Sequence, residues 1–574
     1  MRKLLSYLKQ YKKEAILGPI FKLTETIFDL AVPIIFASLI DNGILKSDNN
    51  YIIKMTIVLV VLALFGIIVA LIAQYFAAKA SVGLGTKIRE NLFKHIQTYS
   101  FKELDQVGES TIINRIMNDT LQVQNGVNLF LKLILRSPAI VFGSLIMAFL
   151  IDVRTGIIFA IVIPIIVLIV FVITKICVPK YTKIQNHKDE LLNITQETLT
   201  GARVIRAFET EDKQNEQFEK ENTEYTKLAQ NASKISSMMN SLNYVMINFG
   251  IVAIIAVGGK QVDTGILTQG QVVALYNYMA QILIELIKLT NLLLIIPKTI
   301  ASAGRINEMF GVKNSVKSGS QKLESDKIDL KFEDVCLKYT QDGNEALSNI
   351  NFEIQTGQTL GIVGGTGSGK TSIINLIPRF YDATTGKIEI NDKDIKEYDV
   401  EDLRKNIGIV MQNKVLFSGT IKDNIEFGNR ELDERELAKA LNIAQASEII
   451  KNKENGLEEK VEENGRNFSG GQKQRLTIAR ALAGKPEILI LDDSASALDF
   501  ATDAALRRAL KAETQGMTVL MVSQRVSTVK AADRILVLDD GTMAGLGTHE
   551  ELMESCEVYR EICLSQLSRE EAAR

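Results

Sequence analysis

Six long apolar runs in the first half of the chain limit its possible folds more than any other feature. An α-helix needs ~20 apolar residues to cross a bilayer, and runs of this kind lie near residues 15–41, 56–78, 129–151, 156–178, 241–259 and 271–297. In lipid, such a segment must pair its backbone polar groups internally, which a helix does. The sequence therefore predicts an α-helical membrane domain over residues 1–312.

The loops between these runs alternate between short and long. Only Asp152 to Thr155 separate the third run from the fourth, and a short turn at Val262 to Gly265 separates the fifth from the sixth. Long stretches rich in Lys, Arg, Glu and Gln follow the second run and the fourth. Because Lys and Arg concentrate at the N-terminus and in these long loops, both are predicted to be cytoplasmic. We therefore expect a multi-pass protein of the inner (cytoplasmic) membrane, in contact with membrane lipid, whose N-terminus and second half lie in the cytoplasm.

Bulk composition excludes several other classes of protein. A chain of 574 residues is too long for one core, so several domains are expected. The net charge of −2 gives no general attraction to nucleic acid, and no nucleic-acid partner is expected. The four cysteines lack the spacing of a metal site or a disulfide framework, and three histidines leave little room for a histidine-based metal centre.

Charged residues interrupt the first and last apolar runs. Lys22, Glu25 and Asp29 share one helical face, and Glu285 and Lys288 are three positions apart. Charges within a bilayer are costly and usually face a partner helix or a water-filled cavity. Two interpretations stay open, ion pairing inside a helical bundle and a polar translocation path. A similar choice, between helix packing and an adaptable substrate pocket, applies to Tyr244, Met246, Phe249, Tyr276, Tyr278 and Met279.

The second half of the chain has a different pattern. A polar stretch from Ser315 to Lys322 lies in a predicted linker at 313–327. From residue 328, short apolar runs such as 360–363 and 488–491 indicate β-strands that alternate with helices. This pattern predicts a cytoplasmic α/β nucleotide-binding domain over 328–574.

A glycine-rich stretch, GGTGSGKT at 364–371, follows one of these predicted strands and opens an apolar helix. In that context, the glycines let backbone amides turn toward a β-phosphate, and the helix adds the positive end of its dipole. Lys370 is expected to reach the β- and γ-phosphates of ATP, and Thr371 to bind Mg²⁺. The predicted nucleotide-binding residues of this loop are Gly364, Gly365, Thr366, Gly367, Ser368, Gly369, Lys370, Thr371 and Ser372.

Two aspartates follow the apolar run at 488–491. Asp492, at the end of a predicted buried strand, can hold Mg²⁺ directly or through water. Asp493 lies where a general base or a water-orienting carboxylate belongs, and a longer Glu is expected there. General-base catalysis contributes roughly 10²–10⁴-fold, so a carboxylate that stops short should slow hydrolysis without preventing ATP binding.

From end to end the chain resembles a half-transporter of the ABC exporter family, in which six spans precede one nucleotide-binding domain. Besides the two motifs above, FSGGQ at 468–472 is similar to the family signature, with Phe in place of the usual Leu. The resemblance implies that Tyr339 stacks on adenine and that Gln412, as the Q-loop residue, joins the Mg²⁺ site. It also implies that residues 496–499, ending in Asp499, form the D-loop.

Two segments of the membrane half also resemble parts of this family. GESTIINRIMNDT at 108–120 and TGARVIRAFETED at 200–212 are similar to the two cytoplasmic loops whose short coupling helices transmit motion. The resemblance thus covers both halves of the chain and implies that ATP binding drives a rearrangement of the membrane domain.

The chain departs from the family pattern at its own nucleotide site. Gln524 stands where the family has a switch histidine, and its amide can accept or donate a hydrogen bond but cannot transfer a proton. Together with Asp493, it indicates a degenerate site. The signature residues look serviceable, because they can cap a γ-phosphate presented by an opposite subunit; these are Ser469, Gly470, Gly471 and Gln472.

In this family each site takes its phosphate loop from one chain and its signature from the other. A homodimer of this sequence would therefore have two impaired sites. We predict a heterodimer with a second half-transporter that carries the catalytic Glu and the switch His. In such a pair, the signature of this chain completes the partner's competent site.

The predicted function is ATP-driven export by alternating access. The expected cargo is a small hydrophobic or amphipathic compound, with drugs favoured. An ATP-gated regulatory or channel-like protein stays open as an alternative, as does an exporter of lipids or peptides. An importer is disfavoured because the spans are fused to the ATPase, and the six spans argue against an ABC ATPase that acts on DNA or ribosomes.

Overall fold

The computed structural model describes residues 2–323, 328–340, 343–428, 432–494, 498–513 and 516–566, and it divides into two compact units. The first, here called the membrane unit, comprises Met1–Gln97 and Gly108–Val312. The second, called the α/β unit, comprises Thr98–Val107 and Lys313–Arg574. The segment Thr98–Val107 thus packs with the α/β unit, although it lies inside the range 1–312 that the sequence assigned to the membrane domain.

Helices make up the membrane unit, and several of them have between 43 and 53 residues. In chain order they are α1 (Arg2–Leu5), α2 (Lys12–Ser38), α3 (Asn49–Ile96), α5 (Glu109–Asn114), α6 (Thr120–Leu133), α7 (Arg136–Ile151), α8 (Val153–Thr200), α9 (Ala202–Ala207), α10 (Glu211–Asp263) and α11 (Gln269–Gly311), while α4 (Phe101–Val107) belongs to the α/β unit. A 3₁₀ turn (Ser6–Tyr11) precedes α2, and π-helical turns follow α2 (Leu39–Ile44) and α5 (Arg115–Asp119).

The predicted six spans are confirmed. Among the described residues, six helical stretches are long and apolar enough to cross a membrane, namely Ser6–Ile44, Asn49–Ile96, Glu109–Ile151, Val153–Thr200, Glu211–Asp263 and Gln269–Gly311. Helix α8 has 48 residues and α10 has 53. At about 1.5 Å per residue, both are far longer than a bilayer core of about 30 Å requires. The helices therefore extend well past the apolar runs from which they were predicted.

Local sequence explains where several of these helices begin. Asp152 follows α7 directly, and its Oδ2 accepts a hydrogen bond from the Thr155 backbone N–H at 2.9 Å, which caps α8. Thr268 and Gln271 form a reciprocal capping box at the start of α11. The short loop between α7 and α8 makes these helices antiparallel neighbours.

The α/β unit contains twelve strands within its described residues. They are β1 (Leu330–Leu337), β2 (Leu347–Ile354), β3 (Thr359–Gly364), β4 (Thr385–Ile390), β5 (Lys393–Asp394), β6 (Ile407–Val410), β7 (Gly419–Thr420), β8 (Lys460–Val461), β9 (Ile488–Asp492), β10 (Thr518–Val522), β11 (Arg534–Asp539) and β12 (Thr542–Gly547). Helices connect them and cover the sheet: α12 (Lys370–Leu376), α13 (Val400–Lys405), α14 (Ile421–Ile425), α15 (Glu434–Ile443), α16 (Ser447–Lys451), α17 (Gly470–Ala483), α18 (Phe500–Glu513), α19 (Val526–Val529), α20 (His549–Ser555) and α21 (Glu557–Gln566).

A six-stranded sheet forms the centre of this unit, in the order β12-β11-β3-β10-β9-β6. The pairs from β11 to β6 are parallel, and β12 is antiparallel to β11. Every residue of β9 and of β10 is buried, as expected for central strands of a parallel sheet covered on both faces. Two further sheets are antiparallel, one in the order β2-β1-β4-β5 and one formed by β7 and β8. The predicted combination of a helical membrane domain and an α/β domain is thereby confirmed.

Candidate nucleotide-binding site

Parallel pairing brings the predicted motifs to one edge of the central sheet. Val522 at the end of β10 pairs with Asp492 of β9 on one side and with Ile362 of β3 on the other. The stretches that follow β3, β10, β9 and β6 therefore leave the sheet side by side at the carboxyl edge, where ligands bind in open α/β sheets.

The glycine-rich loop follows β3 and needs glycine for steric reasons. A Cβ on Gly364 would lie 2.3 Å from the carbonyl oxygen of Leu538, so no side chain fits there. Gly369 has φ +94°, in the left-handed region, and directly precedes α12. The loop between them contains Gly365, Thr366, Gly367 and Ser368, and it passes into a helix that begins at Lys370.

Lys370 folds back over this loop. Its Nζ donates to the carbonyl oxygens of Gly364 at 2.9 Å and Gly365 at 2.5 Å. Burial lowers the pKa of Lys370, while the carboxylates of Asp492 and Asp493 oppose that shift. The ammonium group is thus held within the loop, at the end of the sheet that carries both aspartates.

Thr371 and Asp492 form the best candidate for a magnesium site. The Thr371 hydroxyl donates to Oδ2 of Asp492 at 3.4 Å, and the Asp492 side chain is buried. Burial raises the pKa of Asp492, and the neighbouring Asp493 raises it further. Gln412, the third predicted ligand, is exposed just beyond β6, where Val410 pairs with Leu491. Hydroxyl, carboxylate and amide oxygens are ligands that Mg²⁺ accepts, so these residues fit the ion.

Asp493 and Gln524 both follow strands that end at this edge, because β9 and β10 are neighbours. The Asp493 backbone N–H donates to the Val522 carbonyl at 3.0 Å, and its φ of +45° is left-handed. Aspartate tolerates that conformation better than most residues. Gln524 is exposed two residues past the end of β10. Burial lowers the pKa of nearby Lys414, and the Asp493 carboxylate counteracts that shift.

Tyr339 is positioned by contacts with the loop helix and a second tyrosine. Its hydroxyl lies 2.9 Å from the Ser372 hydroxyl, and its ring meets Tyr381 edge-on at 5.0 Å between centroids. Because 36% of Tyr339 is exposed, part of its ring is accessible for stacking on a base.

The signature residues form the start of α17. Ser469 is the N-cap: its Oγ accepts from the Gln472 backbone N–H at 3.3 Å, while Gln472 Oε1 accepts from the Ser469 backbone N–H at 3.0 Å. The Ser469 hydroxyl uses an acceptor lone pair in this cap, so its O–H donor can face a phosphate. Gly470 is exposed and Gly471 is partly exposed, and Phe468 is buried in the apolar core.

Asp499, predicted as the end of the D-loop, caps α18. Its carboxylate accepts from the backbone N–H of Thr502 at 2.8 Å and from its hydroxyl at 2.9 Å. The hydrogen bond from the Thr502 N–H lowers the pKa of Asp499. Ser496 lies outside the described residues.

Sequence reasoning missed the residue that ties the signature helix to the Q-loop segment. Arg480, on α17, donates to the carbonyl oxygens of Asn424 at 2.8 Å and Val415 at 3.0 Å. It also lies over the stacked rings of Phe417 and Phe427. Burial lowers the pKa of Arg480 to about 10. A charged residue among the apolar positions of α17 was the available signal.

A short helix that the sequence did not single out lies directly before the predicted segment 108–120. The short helix that packs in the α/β unit is α4, before the predicted 108–120, which belongs to the membrane unit. Phe101 of α4 stacks on Phe380 at 4.2 Å, and the Tyr381 hydroxyl donates to Asp105. Since Tyr381 also meets Tyr339, one pair of contacts connects α4 to the residue predicted to stack on adenine.

Inside the membrane unit, the charges of the apolar helices pair with one another. Arg136 on α7 joins three carboxylates, lying 2.7 Å from Glu25, 3.1 Å from Asp29 and 3.7 Å from Glu285. Two further ion pairs complete the set, Lys22–Glu25 at 2.6 Å and Lys288–Glu285 at 2.7 Å. Ion pairing within the bundle therefore accounts for these charges, with Arg136 as the member that the sequence prediction did not name.

The six predicted aromatic and thioether residues differ in burial, and Met246 is partly buried against the core of the membrane unit. Tyr278 and Met279 are fully buried, and the Tyr278 hydroxyl donates to the Leu30 carbonyl at 2.6 Å, so both serve helix packing. Tyr244, Phe249 and Tyr276 are exposed on this chain.

A six-span membrane unit fused to an α/β unit with a phosphate-binding loop and a separate capped signature helix defines a membrane-bound ATPase of the ABC type. Two family models match the chain, the ABC transporter transmembrane region at residues 15–286 and the ABC transporter model at 347–496. The chain is 34% identical over 572 residues to the uncharacterized ABC transporter ATP-binding protein YfiB of Bacillus subtilis (strain 168), with 99% of each chain covered. It belongs to the ABC transporter family.

Two further likenesses refine this assignment. The chain is 29% identical over 575 residues to YgaD of the same organism, which is named for multidrug export, with 98% of each chain covered. It shares its fold with a bacterial Atm1-family ABC exporter solved with ATP bound, at a TM-score of 0.82 and 23% identity, covering 98% of this chain and all of that one. The chain is thus a half-transporter, a multi-pass membrane protein whose cytoplasmic nucleotide-binding domain couples ATP hydrolysis to transport.

Proposed function

We propose that this chain is the degenerate-site subunit of a heterodimeric ABC exporter. It binds ATP at its own phosphate loop and hydrolyses it slowly, while its signature completes a competent site on a second half-transporter. That partner carries the catalytic Glu and the switch His. The observation that carries this proposal is that Asp493 and Gln524 follow the paired strands β9 and β10 at the same edge of the sheet.

Both substitutions impair the same chemical step. The Asp493 side chain is one methylene shorter than Glu, which leaves its carboxylate roughly 1 Å short, and a 1 Å misplacement can cost about 10²-fold in rate. Gln524 keeps hydrogen-bonding capacity toward a γ-phosphate, but an amide does not become cationic or exchange a proton near neutral pH. Hydrolysis at this site therefore lacks both the group that activates water and the switch histidine. ATP binding is retained, because the Gln524 amide can still form a hydrogen bond to the γ-phosphate.

ATP binding itself is supported by complete machinery. Lys370 is already buried against the loop carbonyls, and Tyr339 offers an exposed ring. Thr371 and Asp492, with Gln412, would hold Mg²⁺, which neutralises phosphate charge when bound. The side chains then orient the triphosphate.

The proposal also requires that the signature of this chain contact ATP bound to the partner subunit. The capping box fixes the Ser469 backbone and leaves the first amides of α17 directed away from the helix. A γ-phosphate from an opposite subunit fits there, since helix N-termini favour anions. A signature that can act on ATP, in a chain whose own site is impaired, favours a heterodimer over a homodimer.

The proposed cargo is a hydrophobic or amphipathic small molecule. Two relatives support this class, because YgaD and YheH of Bacillus subtilis are named for multidrug export or resistance, and this chain is 29% and 33% identical to them. Alternating access would be driven by ATP-dependent closure of two α/β units, with α4 carrying the motion through Phe101 and Asp105.

The deciding experiment compares the purified full-length chain with its complex with the half-transporter that co-purifies with it. In lipid nanodiscs, the chain by itself should bind ATP and show little turnover, whereas the complex should hydrolyse ATP. In sealed lipid vesicles, the complex should also accumulate a fluorescent amphipathic cation. A Lys370→Ala control in the complex should lower ATP binding to this chain and leave most of the turnover. Brisk hydrolysis and transport by the chain without a partner would overturn the proposal.

A further inference from the structure

The last described helix of the chain ends against the segment that carries Gln524. Gln566, the final residue of α21, uses both atoms of its side-chain amide on the backbone there. Its Oε1 accepts from the Val526 N–H at 3.0 Å, and its Nε2 donates to the Gln524 carbonyl at 2.7 Å. The two hydrogen bonds bracket the peptide groups on either side of Arg525, directly after Gln524.

Helix α21 is firmly anchored, so Gln566 has a fixed origin. Tyr559 and Cys563 are fully buried and pack in one cluster with Val526 and Val529 of α19. The Tyr559 hydroxyl lies 2.8 Å from Nδ1 of the buried His549. Because Gln566 follows Cys563 by one helical turn, the helix presents it toward the start of α19.

The opposite side of the same backbone segment is held as well. Arg507, on α18, donates from Nη1 to the Ser527 carbonyl at 2.9 Å and pairs with Asp503 at 3.0 Å. The Arg525 N–H donates to the buried Ser523 hydroxyl oxygen at 3.0 Å. The backbone around Gln524 is thus held by Arg507 of α18 on one side and by Gln566 of α21 on the other.

We infer that Gln566 is a positioning residue for Gln524, which sets the direction in which the Gln524 amide reaches the γ-phosphate. This inference rests on the proposed role of Gln524 in nucleotide contact. A glutamine side chain has one more rotatable bond than a histidine, so more freedom must be lost to hold its end group in place. Fixing the backbone therefore contributes more to orienting a glutamine side chain at this position than it would to orienting a histidine.

The test is a double-mutant cycle on the full-length chain in lipid nanodiscs with Mg²⁺. Displacement of the fluorescent analogue TNP-ATP gives the affinities for ATP and ADP. Gln566→Met keeps the side-chain length but removes both hydrogen bonds. Ser565→Ala is the matched control, because the Ser565 hydroxyl donates to the Ile562 carbonyl within the same helix. Gln524→Ala removes the side chain that is to be positioned.

Three results are expected. Gln566→Met should weaken ATP binding by roughly fivefold, about the value of one hydrogen bond, and leave ADP binding unchanged, since only ATP has a γ-phosphate. Ser565→Ala should change neither affinity. In the Gln524→Ala background, Gln566→Met should have no further effect, because residues that act through one another are non-additive.

Each other result would contradict the inference in a recognisable way. If Gln524→Ala weakens ATP binding but Gln566→Met weakens ATP and ADP equally, or adds fully to Gln524→Ala, Gln566 has a general structural role. If Gln524→Ala leaves the ATP affinity unchanged, the role of Gln524 itself is wrong, and the inference falls with it. Amide hydrogen exchange over residues 523–529 gives an independent measurement. Unchanged exchange in Gln566→Met would also contradict the inference that Gln566 fixes this backbone segment.

Discussion

Lengthening Asp493 by one methylene is the sharpest perturbation that the site allows. Asp493→Glu moves the carboxylate roughly 1 Å further from a backbone that is fixed by the 3.0 Å hydrogen bond to Val522. If reach is what limits hydrolysis, turnover at this site should rise, while ATP affinity should stay close to that of the natural chain.

The size of the gain follows from two opposing terms. A 1 Å correction at a reacting group is worth up to about 10²-fold in rate. The left-handed φ of +45° disfavours Glu relative to Asp, and relaxing a strain of about 1 kcal/mol could cost fivefold. We therefore expect a rise between roughly 20-fold and 100-fold, with Gln524→His adding a further increase in the double variant.

The assay is steady-state ATP hydrolysis by the purified chain in nanodiscs, with TNP-ATP displacement as the measure of binding. Asp493→Asn is the matched control, because it keeps the shorter length and removes the charge, and its turnover should not rise. Adding Lys370→Ala should abolish the gain, which would locate the activity at this site. If Asp493→Glu/Gln524→His binds ATP and turns it over as slowly as the natural chain, the reasoning from reach and proton transfer is refuted.

Three other predictions concern coupling, the membrane unit and pH. Phe101→Ala removes a stacked pair worth about 1 kcal/mol and should abolish stimulation of the complex's ATPase activity by an amphipathic test compound while basal turnover persists; equal stimulation would contradict the role proposed for α4. Arg136→Met leaves three carboxylates with two lysines and should destabilise the membrane unit by about 3–5 kcal/mol, lowering Tm in detergent by several degrees. Because the pKa of Asp492 is raised above its ordinary 3.8, its neutral form contributes stability at low pH that is lost as pH rises through that pKa, whereas Mg²⁺ needs the ionised form. Mg²⁺-dependent ATP affinity should therefore fall on acidification at a higher pH than an ordinary aspartate would cause. Asp492→Asn should remove that part of the dependence and leave the part that comes from protonation of the ATP phosphate, with its second pKa of about 6.

The features that the sequence could predict are those encoded by neighbouring residues. Apolar runs of sufficient length dictate spanning helices whatever their neighbours, because lipid leaves no other solution for the backbone. The glycine-rich loop is equally local, since Gly364 and Gly369 are required by the path of a few residues. Parallel sheets then bring Asp492 and Gln524 together once their strands are placed correctly.

The features that the sequence missed depend on contacts between distant segments. Arg136 lies inside the third apolar run, and its three carboxylate partners lie more than a hundred residues away in either direction. Periodicity gave no indication that Phe101 would stack on Phe380. Gln566 forms hydrogen bonds to backbone groups of Gln524 and Val526, so the side chains of those two residues give no indication of the contact.

The division of labour between two sites can be measured directly by the fate of the γ-phosphate on each chain. The complex is incubated through several turnovers with photoactivatable azido-ATP that carries its label on either the α- or the γ-phosphate, and then cross-linked and separated. We predict that this chain retains both labels, because ATP at its Lys370 stays intact, while the partner retains only the α label. Equal loss of the γ label from both chains would show that this site hydrolyses ATP as readily as its partner, and the proposed asymmetry would be wrong.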